Sequence, residues 1–154
     1  MRRLSWVLML LGGACGRGPV SQTPIPQSVN ASVEQFLAAV KANDLDRLGG
    51  LWGTERGPNT RRMDPRVLRQ RLTVIQKYLD HVGYRVVEGP LLVPARPDLR
   101  TYRVELQRAG GCSQVVQIDV IRTGSGGWLV FDPHLESAGN PAAKCQTTGA
   151  GTRP

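Results

Sequence analysis

The chain reads as an α+β protein: three N-terminal helices packed on a curved antiparallel sheet of three to four strands. Two observations predict this. Apolar residues recur at helical spacing in three stretches between residues 28 and 80. From Tyr84 onward the period changes to two, with Gly-rich breaks between the alternating runs. Strands joined by such short turns pair antiparallel, and helices segregated before a meander give α+β.

The first helix starts near Ser28 or Asn30, either of which can cap it. Val33, Phe36, Leu37 and Val40 form its apolar face, and Lys41-Ala42-Asn43 closes it. Asp44 then caps a shorter helix that buries Leu45, Leu48, Leu51 and Trp52; Gly49-Gly50 makes it depend on tertiary packing. Gly53 to Met63 is polar, with turn residues Gly57-Pro58-Asn59. Asp64-Pro65 supplies a cap and a first-turn proline for the third helix. Val67, Leu68, Leu72, Ile75 and Leu79 mark its expected inner face, and it ends around Asp80 to Gly83.

Tyr84, Val86 and Glu88 alternate with Arg85 and Val87 in the first strand, which Gly89-Pro90 interrupts and Leu91-Leu92-Val93 continues beyond a bulge. Pro94 to Leu99 is expected to turn. Tyr102, Val104 and Leu106 then face one way, and Thr101, Arg103, Glu105 and Gln107 the other, as in a half-buried strand. After Ala109-Gly110-Gly111, the run Gln114 to Arg122 places Val116, Ile118 and Val120 opposite Gln117 and Asp119. Thr123 to Gly127 is a hairpin loop, Trp128 to Asp132 the last strand, and Pro133 its stop.

Arg2 and Arg3 precede eleven uncharged residues, Leu4 to Ala14, which end at Cys15. A basic start, a short apolar stretch and small residues are the parts of an export signal. A membrane span needs about 20 apolar residues, more than this stretch holds. Leu11-Gly12-Gly13-Ala14-Cys15 resembles the lipobox of bacterial lipoproteins. The resemblance implies cleavage before Cys15 and a lipid anchor on its thiol and amine; Gly16, rather than Asp, implies outer-membrane sorting. The competing reading is a plain cleaved signal that leaves a secreted or periplasmic chain. The expected organisation is a signal peptide over 1–14, a flexible tether over 15–27, the α+β domain over 28–145 and a disordered tail over 146–154.

The net charge is +8, and seventeen of the twenty basic residues are arginine. The arginines are scattered and few aromatics lie beside them, so the stacking platforms of a single-strand nucleic-acid binder are missing and no nucleic-acid partner is expected. Arg56, Arg61 and Arg62 are the candidates for contact with an anionic surface or polymer. With Cys15 lipidated, Cys112 and Cys145 remain. In an oxidising compartment their disulfide is the default; free thiols and a zinc site with His81 and His134 are the alternatives. Zinc ligands usually come in close pairs such as C-x₂-C, and the chain has none. No cofactor, resident metal or catalytic set is expected: Ser/His/Asp order, phosphate-cradling loop and metal-helix pattern are all missing.

The order of elements resembles the nuclear transport factor 2-like, or cone-shaped α+β barrel, superfamily. The residues that carry the likeness are Val33 to Val40, the Asp44-Leu45-Asp46-Arg47-Leu48 corner, Leu51-Trp52, and the ending Gly126-Gly127-Trp128-Leu129-Val130-Phe131-Asp132. The resemblance implies a pocket between the concave face of the sheet and the helices. Trp52, Tyr78, Tyr84, Tyr102 and Trp128 are candidates to line it, with simple core packing as the alternative. Family enzymes pair an acidic general base with a Tyr or Asp. Here the pair would be Asp132, Asp119 or Glu105 with Tyr84 or Tyr102, although alternation turns Glu105 and Asp119 away from the apolar face. His81 is expected to sit at the negative end of the third helix, and His134 on the surface. The expected function is a membrane-anchored envelope module that binds a small apolar ligand or an envelope protein. An isomerase- or cyclase-type pocket enzyme is the alternative. The oligomeric state is open.

Overall fold

Three side chains start the three helices. The structure, a computed structural model, describes residues 23–141. The Ser28 hydroxyl accepts the Ala31 N–H at 3.1 Å and opens α1 (Val29–Lys41). Asp44 accepts the Arg47 N–H at 3.0 Å and opens α2 (Leu45–Leu51). Asp64 accepts the Arg66 and Val67 N–H groups and opens α3 (Pro65–Leu79), with Pro65 at the first helical position. Each cap satisfies donors that a helix start would otherwise leave without partners. Between α2 and α3 lie a two-residue ladder of β1 (Gly53–Thr54) with β2 (Gly57–Pro58) and a 3₁₀ turn at Asn59–Arg61.

The remaining strands, β3 (Gly83–Val93), β4 (Arg96–Gln107), β5 (Ser113–Arg122) and β6 (Trp128–Asp132), form one antiparallel sheet in sequence order. This is the expected α+β arrangement of three helices and four strands. The register aligns one inner row: Val86 opposite Val104, Val104 opposite Val116, Tyr102 opposite Ile118, and Val120 opposite Val130. Against these pack Val33, Phe36, Leu37 and Val40 of α1, with Leu48, Leu51, Leu72, Ile75 and Leu79 of α2 and α3 closing the layer. α1 lies along β5 and β6; no helix packs extensively on β3.

Four details differ from the sequence reading. Val67 is 42% exposed rather than on the inner face of α3, because Leu68 and Leu72 already fill it. The expected turn from Pro94 to Leu99 shrinks to Pro94-Ala95, with Ala95 in the left-handed region, and β4 begins at Arg96. The polar run after Gly53 forms the small hairpin and 3₁₀ turn. The tether expected over 15–27 is already seated by residue 23: Thr23 lies on Gly50, Ile25 on Gly127, and the Pro26 carbonyl accepts the Trp128 N–H at 2.8 Å.

β6 is buried on both faces, so the alternation read there is incomplete. Leu99, Ile121 and Leu129 stack in register on the outer face and are almost fully covered. The β1–β2 hairpin covers them. A Cβ on Gly53 would stand 2.7 Å from Leu129 Cδ1 and 2.4 Å from the Gly57 carbonyl, so only glycine fits.

Candidate functional site

The concave face of the sheet, where the pocket was expected, is filled by side chains. Val104, Leu106, Val116, Ile118, Val120 and Val130 have no exposed surface, and neither have Phe36, Leu37 and Val40 opposite them. Tyr102 enters the same layer at 2% exposure. Its phenol donates to Asn30 Oδ1 of α1 at 2.5 Å, which satisfies the one polar atom that this ring brings in. Burial, followed by the charge of Glu34, pushes the Tyr102 pKa up to about 12 against a small opposing effect of Arg100.

The five candidate pocket aromatics are not brought together around one cavity. Trp52 donates its indole N–H to the Phe131 carbonyl at 3.2 Å and lines a groove of about 460 Å³ with Val74, Ile75, Pro133 and Leu135. Tyr78 packs on the core near the end of α3. Tyr84 meets His81 edge to face at 5.7 Å, and burial raises its pKa. Tyr102 is core. Trp128 carries the Arg100 guanidinium 5.6 Å from its ring centre, a cation–π contact at the edge of the sheet.

The candidate acids have partners other than tyrosine. Glu105 accepts from Arg85 at 2.7 Å and from Ser113 at 3.0 Å, and these bonds hold its carboxyl below the usual range. Asp132 accepts the backbone N–H of His134 at 2.9 Å. Asp119 accepts from Thr101 at 2.7 Å and bonds His134 Nε2 at 2.9 Å. Register places Asp119 opposite Asp132 and Thr101, on the outer face, whereas Tyr102 points inward. No acid–tyrosine pair of the enzyme type forms among these residues.

The two histidines depart from expectation. His81 is 5% exposed, with Nδ1 2.8 Å from the Leu79 carbonyl, so Nδ1 carries the hydrogen; Nε2 is buried without a partner. Desolvation lowers its pKa more than the Leu79 bond raises it. It does sit at the carbonyl end of α3, as expected, but as a buried neutral donor rather than a cation. His134 was expected on the surface, but its side chain is 24% exposed and is held between Asp119 and Glu136, each at 2.9 Å. Burial alone would lower its pKa. The bonds to Asp119 and Glu136, with the charges of Asp132 and Asp119, outweigh burial and raise it. Pairing of Asp119 with a residue fifteen positions on, through a left-handed His134, leaves no periodic trace in sequence. Among the described residues no group of three His, Cys, Asp or Glu side chains is arranged to hold a metal ion.

Arg56, Arg61 and Arg62 are exposed around the 3₁₀ turn. Arg56 lies 3.5 Å from Glu55, and Arg62 donates to Thr54 at 3.0 Å. Arg61 reaches a second groove, of about 950 Å³, together with Arg47, Arg69 and the strap Thr23-Pro24-Ile25. Cys112 lies in the turn between β4 and β5, where its carbonyl accepts the Arg108 N–H at 2.8 Å. Cys15 and Cys145 lie outside the described residues.

A further surface had no precise sequence signal. Val82, Val86, Val87, Leu91 and Leu92, on and just before the edge strand β3, are between 40% and 73% exposed. A register shift between Val86 and Glu88 leaves Val87 without a partner on β4 and turns Arg85 and Glu88 to the same face, where they pair with Glu105 and Arg103. Alternation alone would have set Arg85 and Glu88 on opposite faces.

No family model matches this chain, and no curated protein matches it. Among solved structures, it is similar to a crystal structure from Campylobacter jejuni described as a "Putative NTF2-like transpeptidase". That likeness has a TM-score of 0.49 and 10% identity, and covers 68% of this chain and 99% of the other.

Proposed function

We propose that this chain is a membrane-anchored envelope lipoprotein whose domain binds a partner protein on its outer surface. The filled concave face carries this reading. With Phe36, Leu37, Tyr102 and Ile118 occupying the layer between helix and sheet, a small apolar ligand would have to displace core side chains to enter that layer among the described residues. What is left for recognition is the surface, and the exposed apolar side chains of β3, which the helices leave uncovered, are the feature that ordinary surface composition does not account for.

The mode of recognition follows from the edge itself. The bulge at Val87 and the proline at position 90 interrupt the regular backbone ladder that an added strand needs. Side chains of Val86, Val87 and Leu92 therefore make the contact, rather than strand addition. The strap at Pro26 runs beside β6, and β3 is the opposite edge of the sheet. In our reading Cys15 holds the chain to the outer membrane on its periplasmic side, and Cys112 pairs with Cys145 there. The scaffold of this module resembles the nuclear transport factor 2-like fold.

Photo-crosslinking amino acids at Val87 and Leu92 test the proposal, with Thr73 on α3 as the control position. Discrete protein adducts are expected from Val87 and Leu92 and not from Thr73. A small apolar dye that binds one to one, with affinity unchanged by Leu92→Lys, would overturn it in favour of an interior ligand.

A further inference from the structure

Positive charge is concentrated beside the point where the chain enters the domain. Residues 56–71 hold six arginines against Asp64 alone, whereas the sheet region 83–132 holds six arginines against five carboxylates. In the sheet these charges pair: Arg85 with Glu105, Arg103 with Glu88, Arg96 with Asp98. In the helical segment Asp64 caps α3, and the ion pairs there, Arg56 with Glu55 at 3.5 Å and Arg69 with Asp46 at 3.6 Å, are largely open to water.

The groove of about 950 Å³ brings this charge to the strap. Thr23, Pro24 and Ile25 line it together with Arg47, Arg61 and Arg69. All three arginines are exposed, as are Arg62 and Arg66 beside them. Two acids share the groove: Asp44 caps α2 and accepts from the Arg47 N–H, and Asp46 lies 3.6 Å from Arg69 with 95% of its side chain exposed. A pair that open to water holds Arg69 weakly.

Chain length sets the height. Eight residue steps separate Cys15 from Thr23, and even fully extended they span only about 26–29 Å. An acylated Cys15 therefore keeps Thr23, which lines the groove, within that distance of the headgroups, a reach that allows the arginine rim to settle within the Debye length of about 8–10 Å over which anionic lipid attracts basic side chains.

We propose that the arginine rim of this groove, Arg47, Arg61 and Arg69 flanked by Arg62 and Arg66, is a second membrane contact that rests on anionic phospholipid headgroups. It lays the domain down on its helical side. Its orientation rests on the anchored reading above. The acyl chains of Cys15 hold the chain to the bilayer, and the basic patch adds a second point of contact that sets which face of the domain meets it.

The test is arginine footprinting with phenylglyoxal on the purified protein as the cell processes it. The protein is held in vesicles of phosphatidylcholine alone or mixed with phosphatidylglycerol, and each site is read by mass spectrometry. On the anionic vesicles Arg61 and Arg69 should react about tenfold more slowly or less, Arg85 and Arg103 at unchanged rates, and high salt should restore the fast rate. Equal rates on both vesicle types would overturn the proposal, as would protection spread evenly over Arg85 and Arg103. So would protection by a soluble anionic polysaccharide with none from vesicles. An intact mass without acyl chains on Cys15 would remove the anchored reading; protection on anionic vesicles would still establish the headgroup contact.

Discussion

Tyr102 on β4 donates its phenolic hydrogen to Asn30 in the first turns of α1, across 2.5 Å and seventy-two positions of chain. One bond ties the sheet to the helix that fills it. Tyr102→Phe removes the donor and leaves Asn30 Oδ1, on an exposed residue, free to meet water. The expected loss is about 1 kcal/mol, read as a lower urea midpoint. The hydroxyl also couples folding to alkaline pH. Its pKa is raised from 10.0 to about 12 in the folded chain. The folded state therefore holds its proton where the unfolded state has lost it. This stability is present below pH 10 and lost as pH rises toward 12. Tyr102→Phe should flatten that alkaline limb, and tyrosinate absorbance should show one fewer late-titrating ring.

The capping residues were the most legible part of the chain. Ser28, Asp44 and Asp64-Pro65 act locally, within three residues, so their meaning survives in sequence. Alternation likewise disclosed Tyr102, Val104, Val116 and Ile118 as one inner face. It gave no hint that this face would be filled, because whether a concave sheet is hollow depends on side-chain volumes supplied by α1. Pairings such as Asp119 with His134, or Pro26 with Trp128, depend on where distant segments meet. The bulge at Val87 hid a second feature: two residues of opposite charge, three apart, turned to one face.

Gly53 is a packing requirement. A methyl there would collide with the Gly57 carbonyl at 2.4 Å and Leu129 Cδ1 at 2.7 Å, and the first of these is backbone. Gly53→Ala is expected to cost about 1–3 kcal/mol, and to loosen the β1–β2 hairpin from the outer-face cluster of Leu99, Ile121 and Leu129. Faster amide exchange at Gly124, whose N–H donates to the Glu55 carbonyl at 2.9 Å, would report that loosening.

Arg108 joins the end of α3 to the 3₁₀ turn at Leu135–Ala138. Its guanidinium donates to the Tyr78 carbonyl at 2.7 Å, the Ala138 carbonyl at 3.1 Å and the Asp80 carbonyl. A lysine keeps the charge but has no planar fork to reach all three. Arg108→Lys should lower stability by about 1–3 kcal/mol, measured by denaturant unfolding at fixed pH. An unchanged midpoint would show that water replaces the lost donors without cost.

His81 and His134 should bend the stability curve in opposite directions around their common ordinary value of 6.5. His81 is buried neutral, beside Lys41 and Arg108 as well as Asp80, and its folded pKa is depressed. Between that depressed value and 6.5 the unfolded chain binds the proton and the folded chain does not. Stability on this account is complete above 6.5 and falls as the pH is lowered. His134 lies between Asp119 and Glu136 and its folded pKa is raised. Its stabilisation is complete below 6.5 and is lost as pH climbs through the raised value. Unfolding midpoints measured across this range should therefore peak near the ordinary histidine pKa. His81→Phe should flatten the acid limb and leave the other intact, whereas His134→Gln should flatten the neutral-to-alkaline limb alone. A pH profile in which either substitution moves both limbs together would refute the assignment of one histidine to each.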